Sequence, residues 1–153
     1  MDLKFRITGF IARQVHDVFE AVADPDILSS YFTTGGAKGR IEQGATVTWD
    51  FADFPGAFPV EVVEVEPNQR LKLRWQANEG AEEPATPYQT QVEFRFLPTA
   101  DGRTKVEVEE SGWRDSPAGL NASYGNCMGW AQMLAALKAW LEHGLNLRDG
   151  AYR

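Results

Sequence analysis

Glu110 has the setting in this sequence with most potential for chemistry. In Val106-Glu107-Val108-Glu109-Glu110 a period of two runs along the chain and aims Glu110 to the same side as Val106 and Val108. A carboxylate on that apolar side would be hydrogen-bonded, protonated with a raised pKa, or facing water in a pocket. It could then orient a polar group of a ligand or serve as a general acid or base. The competing reading is that Ser111-Gly112 twists the strand end and leaves Glu110 in solvent. The sequence leaves both open.

Ser123 and Asn126 are the next candidates. At about 100° per residue they fall on the same helical stripe as Trp130, Leu137 and Leu141, with Cys127 at its edge. The stripe is apolar along most of its length and polar at its N-terminal end. A short loop would bring that polar end near Glu110 and Trp113. Trp49, Trp75, Phe94, Trp113, Trp130 and Met133 would line a pocket there or fill a core, and buried indole N–H groups need acceptors in either case. Tyr31-Phe32, beside Gly35-Gly36, reads as a lid at the pocket mouth or as a staple against a sheet.

Other chemistry has little support. His16 and His143 stand on opposite terminal helices, and a cation in a last helical turn suits the helix dipole. Cys127 has no histidine or basic residue beside it in sequence, so nucleophilic use is a weak reading. No phosphate loop, zinc spacing or Ser-His-Asp order occurs, so neither a metal nor a cofactor is expected.

These residues need elements to hold them. Trp130, Met133, Leu134, Leu137, Trp140, Leu141 and Leu145 recur at the spacing of a long amphipathic helix that packs on something broad. At the other end Leu3, Phe5, Ile7, Gly9 and Ile11 alternate with polar residues as a strand with one wet face. Val15, Val18, Phe19 and Val22 predict a helix, and Asp24-Pro25 stops it and starts a second, with Asp24 as N-cap. Thr33-Thr34-Gly35-Gly36 reads as a loop, followed by a short strand around Ile41 with a turn at Gln43-Gly44. Further strands are read around Val47-Trp49-Phe51, over 58–65, at Leu71-Leu73-Trp75, at Val92-Phe94-Phe96 and at Val106-Val108. Val62-Val63 breaks the alternation, which suggests a bulge. Residues 77–87 read as a mobile surface loop. Gly125 and Gly129 inside the last helix each cost up to about 1 kcal/mol relative to alanine. Close approach to a strand, to a ligand or to the second subunit of a homodimer would account for them, and packing on a strand is the simplest of the three.

With 43% hydrophobic and 24% charged residues the composition is that of a soluble globular chain, and 153 residues suit one domain. The net charge of −7, with basic residues scattered singly, argues against nucleic acid and anionic membranes as partners. No apolar run approaches the roughly 18 residues of a membrane span. One cysteine excludes an internal disulfide, and Met1-Asp2-Leu3-Lys4-Phe5-Arg6 lacks the apolar core of a signal peptide, so a cytoplasmic location is expected.

The order of strand, two helices, six antiparallel strands and long C-terminal helix resembles the helix-grip fold of the START-like (SRPBCC) superfamily. Val18-Phe19-Glu20-Ala21-Val22-Ala23-Asp24-Pro25 running to Tyr31-Phe32 is similar to the superfamily's opening segment. Val63-Glu64-Val65-Glu66-Pro67 through Leu71 and Trp75 is similar to its central hairpin. Residues 104–112, followed by Gly129-Trp130 and Leu134, Leu137 and Leu141, resemble its last strand and helix. Together these resemble the branch named after the activator of the heat-shock-protein-90 ATPase.

The resemblance implies an α+β fold, with a seven-stranded antiparallel sheet curled around the C-terminal helix and two short helices after the first strand. It implies three functions. One is binding of a small hydrophobic or amphipathic ligand between sheet and helix, with Glu110, Ser123 and Asn126 orienting one polar group. Another is an enzyme of the cyclase or hydrolase kind using Glu110 as acid or base. The last is a protein-interaction module akin to the chaperone activator. Eukaryotic activators carry a further N-terminal domain for much of the chaperone contact, and 153 residues leave no room for it, which argues against that contact here.

Overall fold

The computed structural model of the chain describes residues 1–80 and 86–151. Strand β1, Leu3–Ile11, buries Leu3 and Ile11 and half-buries Phe5, Ile7 and Gly9 between them, as the alternation requires. Helix α1, Val15–Ala23, seals Val18, Phe19 and Val22 into the core. Asp24 then serves two helices. Its N–H closes α1 on the Glu20 carbonyl at 2.8 Å, and its carboxylate accepts from the N–H of Asp26 at 2.9 Å to open α2, Pro25–Tyr31.

Five strands follow α2 before the last: β2 Gly36–Lys38, β3 Thr46–Phe51, β4 Phe54–Glu66, β5 Arg70–Gln76 and β6 Gln89–Pro98. Strand β7, Thr104–Trp113, and helix α3, Pro117–His143, complete the described elements. The strands form one antiparallel sheet in the order β1-β7-β6-β5-β4-β3-β2. Its register shifts between Val62 and Glu64, so the expected bulge falls at Val63. The outer face carries ion pairs such as Arg6–Glu109 at 2.7 Å and Arg95–Glu93 at 2.6 Å. The inner face packs on the helices.

Helix α3 opens with Ser116, whose hydroxyl accepts from the Gly119 N–H at 3.1 Å, and has Pro117 at its first turn. It closes at Gly144 in the left-handed region, φ 67°. Trp130, Met133, Leu134 and Leu137 are buried, each removal from water contributing about 1.5–3 kcal/mol. Trp140 and Leu141 are half-buried beside the core. Gly9 lets α3 approach β1, since a Cβ there would stand 3.3 Å from Cδ1 of Leu134.

Three expectations are corrected. Leu145 lies beyond Gly144 and is exposed, because the C-cap ends the helix before its turn in the stripe arrives. Ile41 belongs to no strand; it is buried with its N–H on the Ala23 carbonyl at 3.0 Å, while β2 falls within the expected loop. Strand β4 begins at Phe54 rather than at residue 58. Of the expected loop over 77–87, Ala77 is still tied to its neighbour strand, its N–H on the Tyr88 carbonyl at 2.8 Å, and 81–85 lie outside the described residues.

Candidate functional site

Inward alternation along β7 holds as far as Glu110. Thr104, Val106, Val108 and Glu110 are all buried, the last at 0% exposure. The bulge comes just after it. Gly112 takes φ 101°, and the register of β1 shifts there so that Trp113 also turns inward against Leu3. The Ser111-Gly112 irregularity therefore re-aims Trp113 and leaves Glu110 buried.

The carboxylate, on β7, is caged by neutral donors from two other strands and a helix. One oxygen accepts from Nε1 of Trp130 at 2.7 Å and from the Asn126 amide at 3.1 Å. The other accepts from Oγ1 of Thr90 at 2.7 Å, Nε1 of Trp75 at 3.0 Å and the same Asn126 amide at 3.0 Å. This occupies the acceptor capacity of a carboxylate, about four lone-pair positions. Burial pushes the Glu110 carboxyl above its ordinary range, and the bonds from Trp75, Thr90, Trp130 and Asn126 oppose that rise without cancelling it. None of these four donors carries a charge.

Around the cage the rings pack on one another. Trp130 stacks on Trp75 at 5.4 Å and meets Phe94 edge-on at 5.4 Å. Phe32 lies 5.7 Å and Trp49 6.5 Å from Trp130. Phe58 and Phe51 continue the cluster outward from Trp75 and Phe32. Trp49 is 1% exposed, and its indole N–H has no acceptor among the described residues.

The expected open cavity between helix and sheet is thus closed by side chains at this point, because the indoles that reach Glu110 also fill the space in front of it. Two clefts among the described residues lie elsewhere. One, of about 330 Å³, is lined by His16, Phe19, Glu20, Arg40 and Ile41 among others. The other, of about 200 Å³, lies between Thr46, Pro59 and Tyr88.

The structure brings together Trp49, Trp75, Phe94, Glu110, Asn126 and Trp130. Among the described residues no hydrogen bond links Trp113, Ser123 or Met133 to Glu110. The Ser123 hydroxyl donates to the Leu120 carbonyl at 2.7 Å, three residues back along its own helix. Trp113 stacks on Phe5 at 5.4 Å, its N–H buried without an acceptor among the described residues. Met133 is a core residue at 1% exposure. Tyr31 is no lid, since it is wholly buried and its hydroxyl donates to the Ala21 carbonyl at 2.8 Å; Phe32 joins the ring cluster.

Two participants were missed. Thr90 shares the inward parity of Val92, Phe94 and Phe96, so reading β6 one step further back would have found it. Arg148 gives no signal in the sequence. Its guanidinium lies 4.3 Å over the Phe51 ring and 5.5 Å from that of Phe32, and donates to Asp53 at 3.2 Å.

A curled antiparallel sheet closed over a long C-terminal helix, with two short helices after the first strand, defines the helix-grip class of START-like proteins. Residues 12–142 match the family model described as activator of Hsp90 ATPase homolog 1-like protein, and the chain belongs to that family. No curated protein matches it.

Among solved structures it is similar to protein MLL2253 from Mesorhizobium loti, with 26% identity, a TM-score of 0.77, and 92% of this chain and 97% of that one covered. It is also similar to DynU16, a protein of the dynemicin biosynthetic locus, with 27% identity and a TM-score of 0.75 over 92% of this chain and 48% of that one. The Aha1 dimer from Colwellia psychrerythraea shares the fold at 20% identity, with a TM-score of 0.75 over 93% of this chain and 98% of that one. Among the described residues no helix is long and apolar enough to cross a membrane.

Proposed function

We propose that this protein binds a small hydrophobic or amphipathic molecule between sheet and C-terminal helix. The molecule enters at the half-exposed edge of the aromatic cluster formed by Phe58, Trp75 and Asn126, with one hydrogen-bond donor or protonated amine turned toward Glu110 once Asn126 is displaced. The observation that carries this reading is the Glu110 carboxylate itself, at 0% exposure among neutral donors. A fold that needed only stability would do as well or better with an apolar residue of that volume. A positive charge on a ligand is the chemical complement the cage lacks.

Asn126 is the replaceable member. It is half-exposed and its amide is shared between both oxygens, at 3.1 and 3.0 Å, so a ligand donor could take its place. The body of the ligand would lie against Trp75 and the part-exposed Phe58, where flat rings and cations both find favourable faces. Burial would supply affinity at roughly 25 cal/mol per Å² of apolar area. The orphan N–H of Trp49 offers a second point of recognition to a ligand acceptor. An acid/base role for Glu110 would require the same opening of the cage, since both oxygens are occupied by the protein itself.

Native mass spectrometry and solvent extraction of the purified chain test the reading, followed by titration of its tryptophan fluorescence with planar amines, neutral aromatics and fatty acids. A carried ligand, or saturable quenching by an aromatic amine that Trp130→Ala abolishes, is expected. Protein that is always empty and indifferent to the whole panel would end the proposal.

A further inference from the structure

Among the described residues, Leu120, Tyr124 and Met128 on the outward face of α3 belong neither to the core nor to the site. The three stand four residues apart, at 36%, 65% and 58% exposure. From 117 to 137 the helix contains no charged residue, in a chain of net charge −7. Gly125 and Gly129 lie beside these side chains, and a Cβ built on either would meet nothing within 4 Å. Packing on the sheet, the simplest expectation for the two glycines, therefore does not account for them. Among the described residues no close approach requires either glycine, so their cost within the helix is not explained by crowding in the monomer.

We infer that this face is the interface of a homodimer, two copies of α3 crossing antiparallel about a twofold axis between Asn126 and Cys127. A perpendicular twofold there pairs positions whose numbers share one sum. Tyr124 of one copy then meets Gly129 of the other, and Met128 meets Gly125, so each large side chain faces a gap. The face commits to a second copy on charge grounds. A partner of either sign finds nothing on it to pair with, whereas two neutral faces meet without the repulsion that two acidic chains suffer elsewhere.

The area sets the strength. A helix face about 30 Å long and 10 Å wide offers roughly 300 Å² per copy, against about 800 Å² per partner in a standard stable complex. The dimer is accordingly weak and exchanges rapidly with monomer.

Sedimentation velocity of the full chain over a wide concentration range tests this. The native chain should pass from monomer to dimer, and Met128→Glu, which sets like charges near the twofold, should weaken association by about tenfold or more. Circular dichroism and melting of that variant should match the native chain, because the side chain is exposed; Tyr124→Glu provides a second variant should it fail to fold. A native chain that stays monomeric at every concentration overturns the inference. So does a Met128→Glu chain that dimerises like the native one, which would place the contact elsewhere. Native chain that remains monomeric but sediments with phosphatidylcholine vesicles in a Met128-dependent manner would assign the face to lipid and equally overturn it. None of these readouts depends on the aromatic cluster binding a ligand.

Discussion

Glu110 couples the stability of the chain to pH, and the sign follows from its burial. Its folded-state pKa is raised above the value of about 4.3 for an unfolded glutamate. The folded chain thus holds this proton more tightly than the unfolded one. The stabilisation is whole below about pH 4 and is lost as pH climbs through the raised folded-state pKa. Glu110→Gln cannot titrate, so urea unfolding at stepped pH should show the native chain losing ground to the variant as pH rises from 4 toward neutrality. Parallel curves would mean that the cage holds the pKa at its ordinary value. Glu110→Ala differs, since it leaves the donors of Trp75, Thr90, Asn126 and Trp130 facing a void and should cost about 3 kcal/mol or more at any pH. At this scale the sequence was legible where parity applied. The period of two found Glu110, and the helical stripe found Asn126 and Trp130. Ser123 shares that stripe but spends its hydroxyl on its own helix, a competition that spacing does not reveal.

Elements were legible in proportion to how local their causes are. Asp24-Pro25 works as read because capping is settled within four residues. The bulge at Val63 shows in the paired valines. The three-residue strand β2 was not legible, because its cause is pairing with β3 rather than anything in Gly36-Ala37-Lys38. The glycines of α3 divide by what surrounds them. Gly119 is required by the tight entry of the chain into the helix, as a Cβ there would stand 2.0 Å from the Arg114 carbonyl oxygen. Gly119→Ala should therefore unseat the first turn and cost about 3 kcal/mol. Gly125→Ala meets no such obstacle and should stabilise the monomer by up to about 1 kcal/mol. For a chain of this size that is a rise of about 2–4 °C in melting temperature. Thermal denaturation at low protein concentration separates the two variants. A loss with Gly125→Ala under those conditions would show that its neighbourhood is more crowded than the structure has it.

Across the whole molecule the feature least visible in the sequence is the return of the chain after α3. Past Gly144 it folds back so that Arg148 reaches Asp53, 95 residues earlier, in the turn between β3 and β4. The side chains of this pair are only 10% and 14% exposed, and the guanidinium covers the rings of Phe51 and Phe32. Those rings lead by way of Trp130 to Glu110, so a single clamp from the tail closes one side of the cluster. Neither residue type nor spacing foretells a contact across that distance; only the completed sheet sets the β3–β4 turn beside the end of α3. Arg148→Ala removes an ion pair of low exposure and a cation–π contact together, which should cost about 1–3 kcal/mol. Most of that loss is local, because the pair joins the tail to one turn rather than strand to strand. Each 1.4 kcal/mol lost by the closed arrangement raises the population with the tail released about tenfold. Acrylamide quenching of tryptophan fluorescence should accordingly rise in Arg148→Ala, while far-UV circular dichroism stays native. Asp53→Asn should show the same change to a smaller degree, since the guanidinium keeps its place over Phe51. Quenching unchanged in both variants would mean that the tail covers the rings without controlling access to them.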